Sequence, residues 1–161
     1  MFSRKKPTKT YTVDEARTRL EAYCAYQERC ISEVRQKLRD MGMIPAAQDE
    51  IIDRLMLDKF LNETRYAASF ARGKFRHKKW GKARIVRELK MKGIRDHTIN
   101  TALAEIPDLE YEDEFHTLAL KRLGQLTDTD KHKKRQKLAR YLLYRGWDSA
   151  RVHAKTRELI P

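Results

Sequence analysis

The side chains best placed to act on a partner are cations, and they are not spread evenly. Residues 72 to 95 read RGKFRHKKWGKARIVRELKMKGIR, with Glu88 as the only acid. Arg72, Lys74, Arg76, Lys78, Lys79, Lys82, Arg84 and Arg87 fall in this stretch, interleaved with Phe75 and Trp80. Cations hold phosphates and rings stack on bases, so this mixture suits contact with a nucleic acid or another polyanion. The alternative is a solvated helical face whose aromatics belong to the core. A second cluster, Lys131, Lys133, Lys134, Arg135, Lys137 and Arg140, offers further contacts through Lys133, Lys134, Arg135 and Lys137. Between the two clusters stand Glu105, Asp108, Glu110, Glu112, Asp113 and Glu114. Acids in the first turn of a helix meet the positive end of its dipole, which accounts for this patch without a metal.

Catalytic constellations are missing. His77, His97, His116, His132 and His153 stand apart, with no His-x-x-x-His or Glu-x-x-His pair. The chain lacks a Gly-rich phosphate loop, a Gly-x-Ser-x-Gly elbow and an obvious nuclease set. Cys24 and Cys30 have no second Cys/His pair at zinc-like spacing and fit reduced packing residues in a cytoplasm. The expectation is a binding protein, not an enzyme, with no metal and no cofactor.

The whole composition agrees. Thirty-six Lys and Arg against 23 Asp and Glu give a formal charge of +13, which favours a polyanionic partner without choosing among DNA, RNA, an acidic protein face or a membrane surface. The basic start, with Arg4, Lys5, Lys6 and Lys9, is not followed by an apolar run and so fails as a signal peptide. No stretch approaches the roughly 20 apolar residues of a membrane span, so a cytoplasmic location is expected.

The elements that must carry these residues read as helices throughout. Period-2 runs of β-branched residues are absent, while Gly and Pro are scarce. After a basic flexible tail, residues 1–11, Thr12 and Glu15 form a capping-box pattern opening a helix that runs to about Glu28. A second helix starts near Ser32, carries Val34 and Leu38, and stops at Gly42; Pro45 begins a third with Ile51, Ile52 and Leu55. Asn62 caps a fourth, with Tyr66, Ala67, Phe70 and Ala71 inward. The fifth runs from about Gly81 to Lys92 before Gly93, and Asp96 caps a sixth with Ile99 and Leu103, ended by Pro107. The seventh holds Phe115, Leu118, Ala119 and Leu123. The eighth holds Leu138 and Leu142 before Gly146, and the ninth starts at Asp148 with Val152 and Leu159.

Stacking the glycines exposes a repeat. Eight residues before Gly42, Gly93 and Gly146 stand Val34, Ile85 and Leu138; four before stand Leu38, Leu89 and Leu142; one after come Met43, Ile94 and Trp147. Positions four apart share a helix face, and a glycine that reverses the chain lets the next apolar residue pack back on that face. The reading is an all-α, elongated, curved array of three tandem three-helix units, about nine helices in all. Its units span 12–59, 60–107 and 108–161.

The residues ISEVRQKLRDMGM (31–43), IIDRLMLDKFLNETRYAASFARGKF (51–75) and GKARIVRELKMKGI (81–94) together resemble the RecX family of bacterial recombination regulators. The likeness is close over about half the chain; the third unit matches in layout only, and Trp147 after its glycine suggests a different cap there. The resemblance implies a cytoplasmic regulator that binds the recombinase RecA, above all its filament on single-stranded DNA, and modulates its ATPase and strand exchange, usually downward. It also implies DNA binding, to single and double strands. Weak, salt-sensitive affinity and a monomeric state are our own expectations. Two rivals stay open: a free-standing nucleic-acid-binding protein using a helix-turn-helix-like pair, and a helical adaptor that binds protein alone.

Overall fold

The computed structural model describes residues 9–161, so most of the expected basic tail, residues 1–8, lies outside the described residues. The described residues form nine α-helices and no strand: α1 (Val13–Tyr26), α2 (Ile31–Asp40), α3 (Pro45–Leu57), α4 (Glu63–Lys78), α5 (Lys82–Met91), α6 (Asp96–Ala104), α7 (Asp108–Gln125), α8 (Lys131–Tyr144) and α9 (Ser149–Leu159). They divide into two compact units, residues 9–66 and 67–161.

In the first unit α1 and α2 pack on α3. Ala16, Leu20 and Cys24 recur at helical spacing along α1 and meet Val34, Leu38, Ile51, Ile52, Leu55 and Leu61 in one core. Thr12 caps α1 as expected, its Oγ1 accepting from the Glu15 N–H at 3.1 Å. The start of α2 differs: the helix opens at Ile31, and Ser32 lies inside it. The Ile31 N–H instead donates to Glu63 Oε1 at 3.0 Å, so a distant carboxylate does the work of a local cap. Buried Gln48 is satisfied at both ends, donating to Met43 O at 2.7 Å and accepting from Arg35 at 3.3 Å.

The second unit is built on an aromatic core. Phe75 and Tyr111 rings lie 5.7 Å apart, Tyr111 and Trp147 4.6 Å, and Phe115 and Trp147 4.9 Å. All four rings are buried. Ile85, Leu89, Ile99, Leu118, Leu138, Leu142 and Val152 are buried in the same unit. Phe70, Leu103, Leu123 and Leu159, expected inward, are only half-buried. Asp96 is the first residue of α6, with Arg95 as its cap position.

The three glycines end their helices identically. Gly42, Gly93 and Gly146 have φ of 79°, 78° and 91°. In each case the N–H one residue on bonds back to the leucine carbonyl: Met43 to Leu38 at 3.0 Å, Ile94 to Leu89 at 3.1 Å, Trp147 to Leu142 at 3.2 Å. Each glycine N–H reaches three residues back, to Arg39, Lys90 and Leu143. This is the Schellman arrangement three times. The third end therefore does not cap differently, which corrects the expectation drawn from Trp147.

Candidate nucleic-acid interface

The basic stretch 72–95 covers the end of α4, a short linker and α5. Helix α4 turns its apolar edge, Ala67, Ala71 and Phe75, to the core, which leaves the cations between them on its outer side. Three cations meet the acidic patch. Arg72 pairs with Glu105 at 3.2 Å, Arg76 forks onto Glu110 at 3.1 and 3.5 Å, and Lys79 reaches Glu114 at 2.9 Å. The acids thus serve as partners for the first basic cluster and not only as dipole caps. Exposed pairs of this kind contribute about 0–1 kcal/mol each, so they mask charge more than they hold the fold.

The linker is the most constrained part. Arg145 donates to Lys78 O, the Trp147 indole to Lys79 O at 3.2 Å, and the Lys82 N–H to the Tyr111 hydroxyl at 3.0 Å. Amides at the start of α5 donate to the carbonyls of the turn that ends α8, Gly81 N to Arg145 O at 2.8 Å and Ala83 N to Gly146 O at 3.1 Å. The positive end of one helix dipole so meets the negative end of another. Contact is close enough that a Cβ on Gly81 would stand 2.4 Å from Gly146 O.

The remaining candidates separate by partner. Lys74 lies 5.0 Å from the Trp80 ring centre, Lys82 lies 4.6 Å from Tyr111, and Arg84 lies 4.1 Å from Trp80. In α8, Lys137 holds Asp128 at 2.9 Å and Arg135 donates to Ile160 O at 2.6 Å. Lys78, Arg87 and Lys133 are exposed, with no carboxylate within ion-pair reach among the described residues. Lys134 is half-buried. Phe75, expected as a stacking ring, is 1 % exposed and is a core residue; Trp80 stays half-buried beside Phe70.

Sequence reasoning missed Arg145, Tyr111 and Tyr144 as partners of this region, because their roles arise only when α5 meets α7 and α8. Asp128 is held below the usual carboxylate range by its hydrogen bond from Lys137. Burial pushes the Cys24 thiol up to about 11, and burial, then Glu33, raises Tyr66. Among the described residues no group of three or more His, Cys, Asp or Glu could hold a metal ion, and no helix is long and apolar enough to cross a membrane.

Comparison with known proteins adds a family. Residues 62–103 match the model of the second three-helix domain of RecX, and residues 110–154 that of the third. A protein of Pseudomonas savastanoi pv. phaseolicola named Regulatory protein RecX is 31% identical over 115 residues, 71% of this chain and 72% of that protein. One of the same name from Lactobacillus delbrueckii subsp. bulgaricus is 30% identical over 139 residues, 86% of this chain. The chain spans about half the length of that relative, 51%. The crystal structure of RecX from Lactobacillus salivarius superposes with a TM-score of 0.78 at 25% identity, covering 92% of this chain and 96% of that one.

Proposed function

The chain belongs to the RecX family, and from that premise we propose that it regulates the recombinase RecA by binding it and its filament on single-stranded DNA. Its effect is to lower the ATPase and strand-exchange activities of that filament during recombination and repair. It acts by binding and not by catalysis, in the cytoplasm, as a monomer.

The observation that carries this reading is the unmatched positive charge left over after internal pairing. Arg72, Arg76 and Lys79 are neutralised by acids of the same unit, whereas Lys78, Arg87 and Lys133 are exposed without one. Open cations left among neutralised ones suit weak, salt-dependent contact with phosphates or an acidic protein face. Binding along a filament then multiplies such contacts, since neighbouring protein and DNA engage together.

The test is charge reversal at the open positions, Lys78→Glu with Arg87→Glu. Inhibition of the recombinase at moderate salt should weaken by an order of magnitude or more. Inhibition equal to that of the unaltered protein would refute the reading. A helix-turn-helix-like, sequence-reading protein would instead prefer particular duplexes over filaments.

A further inference from the structure

A run of alternating rings and cations crosses the second unit outside the α4–α7 ion pairs. Lys74 is 5.0 Å from the Trp80 centroid, and the Arg84 guanidinium is 4.1 Å from Trp80 and 4.9 Å from Tyr144. Arg145, just past the end of α8, and Arg122 of α7 lie 4.7 and 4.8 Å from the ring of Tyr141 on α8. Tyr144 is 72% exposed, with Leu143 open beside it. What distinguishes Tyr144 from other exposed side chains is the company of cations around its ring.

Tyr144 lines a cleft of about 550 Å³ between α7 and α8, together with Tyr141, Arg122, Lys137, Arg140 and Asp128. Asp128 is its only acid and is already held by Lys137 at 2.9 and 3.0 Å. Arg122 and Arg140 meet no carboxylate among the described residues, and the Arg122 Nε has no hydrogen-bond partner. The cleft therefore joins flat π-faces to positive charge that nothing in the unit neutralises.

We propose that this cleft seats one unstacked nucleotide of single-stranded DNA, its base on Tyr144 and its phosphate on Arg122 and Arg140. Trp80 and Arg84 continue the path of the strand toward α5. The inference rests on the reading that the protein meets single-stranded DNA and adds where a base is held. A duplex keeps its bases inside and offers nothing to Tyr144, and an acidic peptide would use the cations while leaving the rings bare.

The experiment measures binding of the full chain to a labelled oligothymidylate of about 20 residues across a salt series. Tyr144→Ala should weaken binding by about 5- to 150-fold, the range that one base–aromatic stack gives, and leave the salt slope unchanged. Tyr144→Phe should bind like the unaltered protein, and a strand lacking bases should bind the unaltered protein as weakly as the intact strand binds Tyr144→Ala. Arg122→Ala should lower the salt slope by about 0.7, one phosphate contact on a single strand. Thymidine monophosphate and inorganic phosphate should not displace the strand at micromolar concentration. Binding by Tyr144→Ala within twofold of the unaltered protein would overturn the cleft alone, as would displacement by inorganic phosphate at that concentration. No oligothymidylate binding by the unaltered protein would overturn the parent reading with it.

Discussion

Replacing glycines one at a time by alanine separates two demands that the repeat places on them. Gly42 and Gly93 have positive φ and open space where a Cβ would go, so alanine there costs only left-handed strain, about 1–2 kcal/mol. Gly81 is the reverse case. Its φ of −79° suits alanine, but the added Cβ would stand 2.4 Å from Gly146 O and 2.6 Å from Trp147 N. Restoring ordinary contact at about 3.4 Å means withdrawing the start of α5 by about 1 Å. That stretches the 2.8 Å bond from Gly81 N to Arg145 O and the 3.1 Å bond from Ala83 N to Gly146 O beyond useful length. Two lost bonds, with donors left partly desolvated, predict about 2–4 kcal/mol for Gly81→Ala. Gly146→Ala adds left-handed strain to a clash 2.3 Å from Arg84 Cβ and should cost more still, about 3–6 kcal/mol. Both tryptophans, Trp80 and Trp147, lie in the second unit, so urea unfolding followed by tryptophan fluorescence reports on that unit directly. A Gly81→Ala midpoint no lower than that of Gly93→Ala would refute the close docking of α5 on α8.

Three further outcomes test other parts of the account. Changing Glu105, Glu110 and Glu114 together to Gln frees Arg72, Arg76 and Lys79. Oligothymidylate binding should tighten and its salt slope steepen by up to about 2, as electrophoretic or anisotropy titrations would show. Phe75→Ala should destabilise the second unit by about 3–5 kcal/mol, because the ring is core; a folded variant of unchanged stability that merely bound DNA less well would restore it to the surface. The Cys24 thiol ionises near its ordinary 9.0 when unfolded and only near about 11 when folded. Thermal stability should therefore decline as pH rises from about 9 toward 11, and Cys24→Ser should lessen that decline.

Much of the fold could be read before any coordinates, because its signals are local. Thr12 with Glu15, Pro45, Asn62 and the glycines at 42, 93 and 146 act on their own helix ends, and the structure places caps or turns at each. Ser32 failed because the α2 amide found Glu63, which lies 32 residues away and gives no local sign. The interface was less legible for the same reason. Cation-rich letters at 72–87 mark available charge, but whether each charge is open depends on acids brought up by α6 and α7. Phe75 and Trp80 look alike in the sequence; the helix phase of α4 sends Phe75 into the core, while Trp80 stands in the linker after α4 and stays half-buried. Tyr144 attracted no notice, since its value depends on Arg84 and on a cleft that α7 and α8 make together.

The central claim is that this protein recognises a recombinase filament through sparse open cations on a helical repeat. Its most direct test is one titration series, measuring affinity for naked single-stranded DNA, for DNA-free RecA and for the assembled filament at several salt concentrations. The account predicts weak, salt-steep binding to the DNA, and binding to the filament tighter by at least an order of magnitude than to either component. Equal affinity for naked DNA and filament, or for free recombinase and filament, would contradict it.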